Sequence, residues 1–505
     1  MRPRRGPGRW VLCALLLVAL GPRPALAAGA DTGSALEAAA AELRARLDGL
    51  LRPEVVGEGQ LGVQVLDLGS GQVLYAREAG RPLVLASNTK LFTTAAALGL
   101  LGAGYRFETW LVRRGTLAGT VLLGDLVLVG GGDPCLGARL DGEPEGALRR
   151  LARSVREAGI TEVRGDLVAD ARRFDRQLQH PDWPADQLDR WYAAPVAALN
   201  LNDGCVDVEV APGPAPGAPA RVRLSPACAL FELDNRCLTV GADDKHLIAV
   251  GRRPGTHTIV VRGTVRVGAA PLVTSVALHE PALVVVEVLR RCLAEEGVEV
   301  TGRTRLAEPD EPPPGRAGEQ QLQPLAVHVS LLAQALPVIN KRSQNCWAEM
   351  VFKALGAQGG EPGSFARGAA AVRGFALGLG VEPAELEIAD GSGLARTNRA
   401  SPRAVATLLR AMALGPHANP FIASLPIGGE DGTLARRFSG MPGAARVRAK
   451  TGTIEGVSAL SGYILPARPG GRTLVFSILT NGLPGGAGAA RQLQDRMVGA
   501  MLAVP

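Results

Sequence analysis

Apolar and charged positions alternate at helical spacing over residues 36–51, which predicts an amphipathic helix. Alternation then shortens to a period of two. Residues 61–67 and 72–76 read as two strands joined by a Gly-Ser-Gly turn. Near the other end, residues 445–450, 458–464 and 473–479 read as three more strands, with a helix from about Ala489. Helices from both ends of the chain flanking an antiparallel sheet would bring the two ends into one domain, so the middle must be an insertion. The long apolar run over residues 91–101, rich in Ala and Leu, closed by Gly102 and preceded by Pro82, predicts a further helix with Ser87 at or near its N-terminus.

The insertion starts near Gly104 and ends near Leu322, before a helix-like region at 330–335. Within it, residues 124–129 and 163–170 read as strands with a helix at 148–157 between them. The Pro-rich loop at 212–217 and short strands at 221–224 and 258–261 suggest a smaller β-rich second insert, and residues 309–314 a linker back. The expected class is α+β, in four parts. Residues 1–27 precede a first domain made of 28–103 and 322–505. That domain carries an inserted domain of 104–204 and 266–321, and the latter carries a β-rich domain of 205–265. Gly130-Gly131-Gly132 has no Lys-Ser/Thr after it and predicts a tight turn rather than a phosphate loop.

Composition adds the compartment. A length of 505 residues with 47% apolar content fits about three folded domains. Residues 1–27 join an arginine-rich start to a short apolar stretch and Ala25-Leu26-Ala27, the pattern of a cleaved secretory signal. Nothing after it is long and apolar enough to span a bilayer, so no transmembrane anchor is expected after cleavage. The signal carries five arginines and no acid, so its removal takes the formal charge from +7 to about +2 and leaves nucleic-acid binding without support. Six cysteines remain, and in an oxidising compartment Cys228 and Cys237 are the expected disulfide, with connectivity left open. Cys292 and Cys346 read as small buried hydrophobes. The six histidines are scattered, without ligand spacing, so no metal or cofactor is expected.

The chemistry lies in three short strings. Ala86-Ser87-Asn88-Thr89-Lys90 places Ser87 and Lys90 three apart, one turn along a helix, where an amine can reach the hydroxyl. Lys341-Arg342-Ser343-Gln344-Asn345 and Lys450-Thr451-Gly452-Thr453 follow in the order of the S-x-x-K, S-D-N and K-T-G set. Lysine is scarce: Lys90, Lys245, Lys341, Lys353 and Lys450 are all there are, and three lie in these strings. Arginine serves where a plain cation suffices, whereas an amine that exchanges a proton has to be lysine. No Gly-x-Ser-x-Gly elbow offers a Ser-His-Asp alternative.

With Gly124-Asp125-Leu126, Gly130-Gly131-Gly132-Asp133-Pro134 and Asp390-Gly391-Ser392-Gly393-Leu394, these strings resemble the penicillin-binding protein 4 type D-alanyl-D-alanine carboxypeptidase/endopeptidase family, from the first helix to the C-terminus. The departure is Gln344, where that family often has Asp or Asn. The resemblance implies a transpeptidase/β-lactamase-like core, an antiparallel five-stranded sheet flanked by helices, with two nested inserted domains. It implies catalytic Ser87, Lys90, Ser343, Asn345 and Lys450, and substrate binding by Thr451, Gly452 and Thr453. Ser87 would acylate on a peptidoglycan stem peptide and Lys90 take its proton, with Lys450 as the nearby second charge. Ser343 would relay a proton to the departing amine, Asn345 contact the substrate backbone, and the N–H groups of Ser87 and Thr453 form the oxyanion hole. Turn-forming residues explain Asp390-Gly391-Ser392-Gly393-Leu394 equally well, so it stays outside the catalytic set.

The expected function is therefore a serine D,D-peptidase that removes terminal D-alanine and, by the resemblance, also cuts D-alanyl cross-links. It would be secreted to a periplasmic or cell-wall compartment of a bacterium, with β-lactams as inhibitors. A β-lactamase or esterase on the same core is the nearest alternative, and the long insert argues against it. A non-catalytic peptidoglycan-binding or penicillin-sensing protein is the other, against which the intact Ser87, Lys90, Ser343, Asn345 and Lys450 argue.

Overall fold

The structure, a computed structural model, describes residues 29–311 and 322–504. The signal expected at 1–27 and part of the linker expected at 309–314 lie outside the described residues. One sheet joins the two ends of the chain, in the order Val447–Ile454, Val457–Ile464, Leu474–Asn481, Gln60–Asp67 and Val73–Arg77, antiparallel throughout. It has the five antiparallel strands that the resemblance implies.

Successive side chains of a strand point to opposite faces, and here both faces are covered. Leu460, Ile464, Phe476 and Ile478 pack with Val63 and Val65 under the terminal helices Gly29–Leu50 and Gly486–Leu502, against Leu43, Leu47, Leu493 and Met497. Their neighbours Ala459, Tyr463, Val475 and Leu479 face the other way, into a core with Leu91, Phe92, Leu408 and Leu409. This is why Val457–Ile464 is buried at every position. Full burial of Leu-sized side chains stabilises by about 1.5–3 kcal/mol each. The helix Thr89–Leu100 is consequently a core element, with Lys90 as buried as its apolar neighbours.

Between the Ser87 helix and the second motif, a mixed sheet forms around the hairpin Arg106–Ala118 and Val121–Val129. Helices Gly146–Glu157 and Pro281–Glu295 pack on it through Leu148, Leu151, Val285 and Leu289. Strand Leu322–Leu331 pairs with Arg106–Ala118 in this inserted sheet, although the sequence reading put it with the residues that follow. Helix Leu332–Lys341 begins at the next residue, so strand and helix abut without a loop to mark the change. Two three-stranded sheets form the smaller unit: Cys205–Ala211 with Arg221–Ser225 and Leu272–Ala277, and Glu232–Val240 with Leu247–Arg252 and Thr258–Arg266. Strand Leu272–Ala277 extends this unit beyond residue 265.

The expected Cys228–Cys237 disulfide is corrected: both are free thiols. Cys237 points from its strand into the apolar core, while Cys228 packs only at that core's edge. Among the described residues, no helix is long and apolar enough to cross a membrane.

Candidate active site

Ser87 sits in a single helical turn, Ala86–Asn88, that leads directly into Thr89–Leu100. Ala86 holds φ +46° and Ser343 φ +57°, a left-handed backbone that disfavours side chains. Such strain persists where surrounding structure over-determines it, and both residues lie at this cleft. Two glycines make the crowding possible. A Cβ on Gly393 would stand 1.8 Å from the Ala86 carbonyl oxygen, and one on Gly452 2.6 Å from that of Leu85. Strand Val447–Ile454 thereby reaches the Ser87 turn, where Asn88 Nδ2 donates to the Lys450 carbonyl at 3.4 Å.

Lys90 Nζ makes three contacts: Asn345 Oδ1 at 2.7 Å, the Ser392 carbonyl at 2.8 Å and Ser87 Oγ at 3.1 Å. Burial drives its pKa down to about 7, against the opposing pull of Glu349 and Asp390. Lys450 Nζ donates to Ser343 Oγ at 2.9 Å and to the Thr451 carbonyl at 2.8 Å. Burial first, then the like charge of Lys90, holds Lys450 well below the usual lysine value. The five residues expected to be catalytic therefore lie together, in two lysine–serine pairs with Asn345 beside the first.

Asn345 donates from Nδ2 to the Tyr192 carbonyl at 2.7 Å, which fixes its amide orientation and leaves one N–H free to meet a substrate. Gln344 points away from the cleft. Its Oε1 caps the helix Asn345–Gly356 at the Cys346 N–H, and its Nε2 donates to Asp203 at 2.8 Å. Asp203 also accepts from Trp347 Nε1 at 2.7 Å, so the departure at Gln344 bears on how the insert is attached. Thr451 Oγ1 donates to Thr433 Oγ1 at 2.8 Å, while Thr453 is exposed on the strand edge.

Sequence reasoning missed the support beneath Lys90. Glu349 accepts the N–H groups of Gly391 and Ser392 at 2.8 and 2.7 Å, and burial raises its pKa. Asp390 accepts from Gly393, Ala395, Asn398 and Trp183. Together they hold the turn that aims the Ser392 carbonyl at Lys90. Glu349 had a signal: it follows Asn345 by four positions, an acid on the same helix face within an otherwise apolar stretch.

Ser87 lines two cavities. One, of about 430 Å³, is lined by Gln187, Trp191, Tyr192, Thr453, Glu455 and Arg396, whose guanidinium donates to the Glu455 carbonyl at 2.9 Å. The second, of about 450 Å³, is lined by Thr433, Thr451, Thr453, Arg436, Arg437 and Arg491. Arg437 is paired with Asp495, while Arg436 and Arg491 are exposed, so the second cavity is basic. Among the described residues, no group of three or more His, Cys, Asp or Glu side chains is placed to hold a metal.

Residues 43–504 match the model of the D-Ala-D-Ala carboxypeptidase 3 (S13) family. The chain is 37% identical to the D-alanyl-D-alanine carboxypeptidase of Actinomadura sp. (strain R39), over 97% of this chain and 91% of that protein. Its fold is similar to penicillin binding protein 4 (dacB) from Haemophilus influenzae, with a TM-score of 0.76 at 25% identity, covering 90% of this chain and 98% of that one. A second structure of that protein, complexed with a novel β-lactam, matches with a TM-score of 0.70 at 25% identity, over 90% and 97%.

Proposed function

This chain belongs to the D-Ala-D-Ala carboxypeptidase 3 (S13) family and is a serine-type D-alanyl-D-alanine carboxypeptidase on a transpeptidase/β-lactamase-like core, and we propose that Ser87 is its nucleophile and Lys90 its base. The observation that carries this is the set of partners around Lys90 Nζ. A neutral amine has two N–H donors and one lone pair. The Asn345 and Ser392 oxygens can only accept, and at 2.7 and 2.8 Å they take both donors. The lone pair is left for the third neighbour, the Ser87 hydroxyl at 3.1 Å.

In this reading Ser87 Oγ attacks the carbonyl carbon of the penultimate D-alanine of a stem peptide as its proton passes to Lys90. The N–H groups of Ser87 and Thr453 would cradle the oxyanion, each such donor contributing roughly 3–4 kcal/mol in hydrolases. Collapse breaks the C–N bond. The departing amine takes its proton through Ser343, which Lys450 holds by a hydrogen bond. Water then hydrolyses the acyl-enzyme and restores the Ser87 hydroxyl. The acyl chain lies along the strand edge at Thr453, with the free N–H of Asn345 on its backbone. The basic cavity suits the carboxylate of the leaving D-alanine and, in a cross-link, the larger anionic strand that replaces it. β-Lactams acylate the same serine because their ring amide imitates the D-alanyl-D-alanine bond. Export to a bacterial cell-wall compartment follows from the substrate and from the signal-like residues 1–27.

The experiment is D-alanine release from a synthetic stem pentapeptide by the wild type and by Ser87→Ala. Release by the wild type alone is expected. Equal release by the variant would remove Ser87 from the mechanism.

A further inference from the structure

Residues 171–204 of the insert form neither α-helix nor strand. Connections of that length inside a folded unit are uncommon and mostly carry function. This one holds the surroundings of Lys90 from three points. The Asp175 carboxylate and the Gln177 carbonyl accept from Lys353 Nζ at 2.7 and 2.6 Å, and Lys353 is a fully buried residue on the helix Asn345–Gly356. Trp183 Nε1 donates to Asp390 Oδ2 at 2.9 Å, and beside it Thr397 Oγ1 donates to Asp182 at 2.8 Å. The Tyr192 carbonyl accepts from Asn345 Nδ2 at 2.7 Å. The first two points share one ring: Phe365 lies 4.4 Å under the Lys353 ammonium and packs edge-on against Trp183, with ring centres 5.9 Å apart.

Both acceptors of Lys90 trace back to this stretch. Asn345 Oδ1 is aimed because its Nδ2 is pinned on Tyr192. The Ser392 carbonyl is aimed by the turn that Asp390 holds. Asp390 is fully buried, and each of its oxygens accepts two N–H bonds: Gly393 and Asn398 on Oδ1, Ala395 and Trp183 on Oδ2. With four N–H donors the carboxylate is satisfied in its ionised form. Three of the donors are local, whereas Trp183 stands 207 positions away in the insert. Its N–H on a buried carboxylate is a charge-assisted bond in a low-dielectric setting, and it draws part of that charge away from Lys90.

We propose that residues 175–192 are a clamp that holds both acceptors of Lys90 in place, and that Trp183 is a positioning residue for this amine, acting through Asp390. The proposal rests on the reading of Lys90 as the base for Ser87. Trp183 is 4% exposed and lines neither Ser87 cavity. The charges that face Lys90 are Glu349 from the helix Asn345–Gly356, Asp390 from its turn and Lys450 from strand Val447–Ile454, and its own helix carries no other. Only Asp390 is bonded to Trp183. Removing the indole N–H leaves the full charge of Asp390 facing the amine, which favours the protonated form.

The test is a pH titration by NMR of protein whose lysines carry carbon-13 at Cε. Five lysines are present, and the Lys90 signal is the one lost in Lys90→Arg. Trp183→Phe keeps an aromatic ring against Phe365 and removes the donor. Trp183→His gives up the larger ring and keeps a donor, because imidazole Nε2 falls where indole Nε1 stood. In Trp183→Phe the proton affinity of Lys90 should rise about threefold. Acylation by benzylpenicillin should then fall about threefold at pH 6 and stay within twofold of wild type at pH 9. In Trp183→His the affinity should not rise, since a protonated imidazole would only lower it. A packing role alone predicts the opposite order, with Trp183→His the more damaged and the loss of rate equal at both pH values. An unchanged Lys90 titration in Trp183→Phe, or one raised as much in Trp183→His, would overturn the proposal. Should Trp183→Phe fail to fold, the wild type is compared with Trp183→His, where an affinity at or below wild type supports the proposal and a raised one contradicts it. The titration is read without turnover. A shift supports the clamp even if Ser87→Ala releases D-alanine as fast as the wild type, and its absence contradicts the clamp even if only the wild type releases it.

Discussion

Lys90 Nζ and Asn345 Oδ1 lie 2.7 Å apart although 255 positions separate them in the chain. That contact closes the cleft. It requires the inserted segment to leave after the Ser87 helix and return before the helix Asn345–Gly356, and it puts an obligate acceptor on the amine proposed as the base for Ser87.

Lys90→Arg keeps a cation at this position but supplies a group that stays protonated at any working pH. Acylation by a β-lactam is expected to fall about 10³-fold, the scale of losing a general base. Stopped-flow acylation, with a thermal melt to verify folding, measures it, and near-wild-type acylation would rule out Lys90 as the base.

The pH profile follows from the burial of Lys90. With its pKa held at about 7, the reactive neutral amine is lost as pH falls through that value, so kcat/KM should show an acid limb there. The same shift has a stability sign. Between pH 7 and the ~10.4 of a free lysine the unfolded chain binds more protons than the folded one, so this group's contribution to stability rises with pH across that window. Glu349→Gln keeps a carbonyl acceptor at the Gly391–Ser392 turn that aims the Ser392 carbonyl at Lys90. Loss of one N–H acceptor at the Gly391–Ser392 turn should cost about 1–3 kcal/mol in the same variant.

Gly393→Ala brings a methyl group against the Ala86 carbonyl at a backbone with φ +84°. The left-handed conformation alone costs about 1–2 kcal/mol for a non-glycine residue, and the clash adds to it by displacing the Ser87 turn. A melting temperature lowered by several degrees and a drop in β-lactam acylation of tenfold or more are expected. Wild-type acylation would show that the turn tolerates the shift.

Arg436→Glu reverses charge on the leaving side of Ser87 without touching the Lys90 pair. KM for a pentapeptide with a free terminal carboxylate should rise about tenfold, and the rise should shrink at high salt because Arg436 is exposed. A C-terminal amide analogue should be little affected. Equal effects on both substrates would contradict carboxylate recognition there.

What was legible in the sequence was local or motif-bound. Ser87 and Lys90 share one helix face, so their spacing foretold the 3.1 Å contact. The short, mostly apolar runs at 458–464 and 473–479 foretold strands, and both faces of each strand are buried. Tyr192 could not be read, since it acts through its backbone carbonyl. The place of strand Leu322–Leu331 was hidden because helix Leu332–Lys341 follows without an intervening loop. Asp390 and Ser392 look like turn residues in sequence and are turn residues in the fold. Ser392 holds Lys90 through its backbone carbonyl, a group that every sequence has, and Asp390 through a carboxylate that accepts the Gly393 N–H as any Asx turn would.

The most direct measurement is the mass of the intact mature protein after incubation with benzylpenicillin, for the wild type, Ser87→Ala and Lys90→Arg. The wild type should gain the mass of one penicilloyl group, located on the peptide that contains Ser87, with no gain in Ser87→Ala and a strongly slowed gain in Lys90→Arg. An unmodified wild type, or an adduct that persists in Ser87→Ala, would contradict the assignment of Ser87 as the nucleophile.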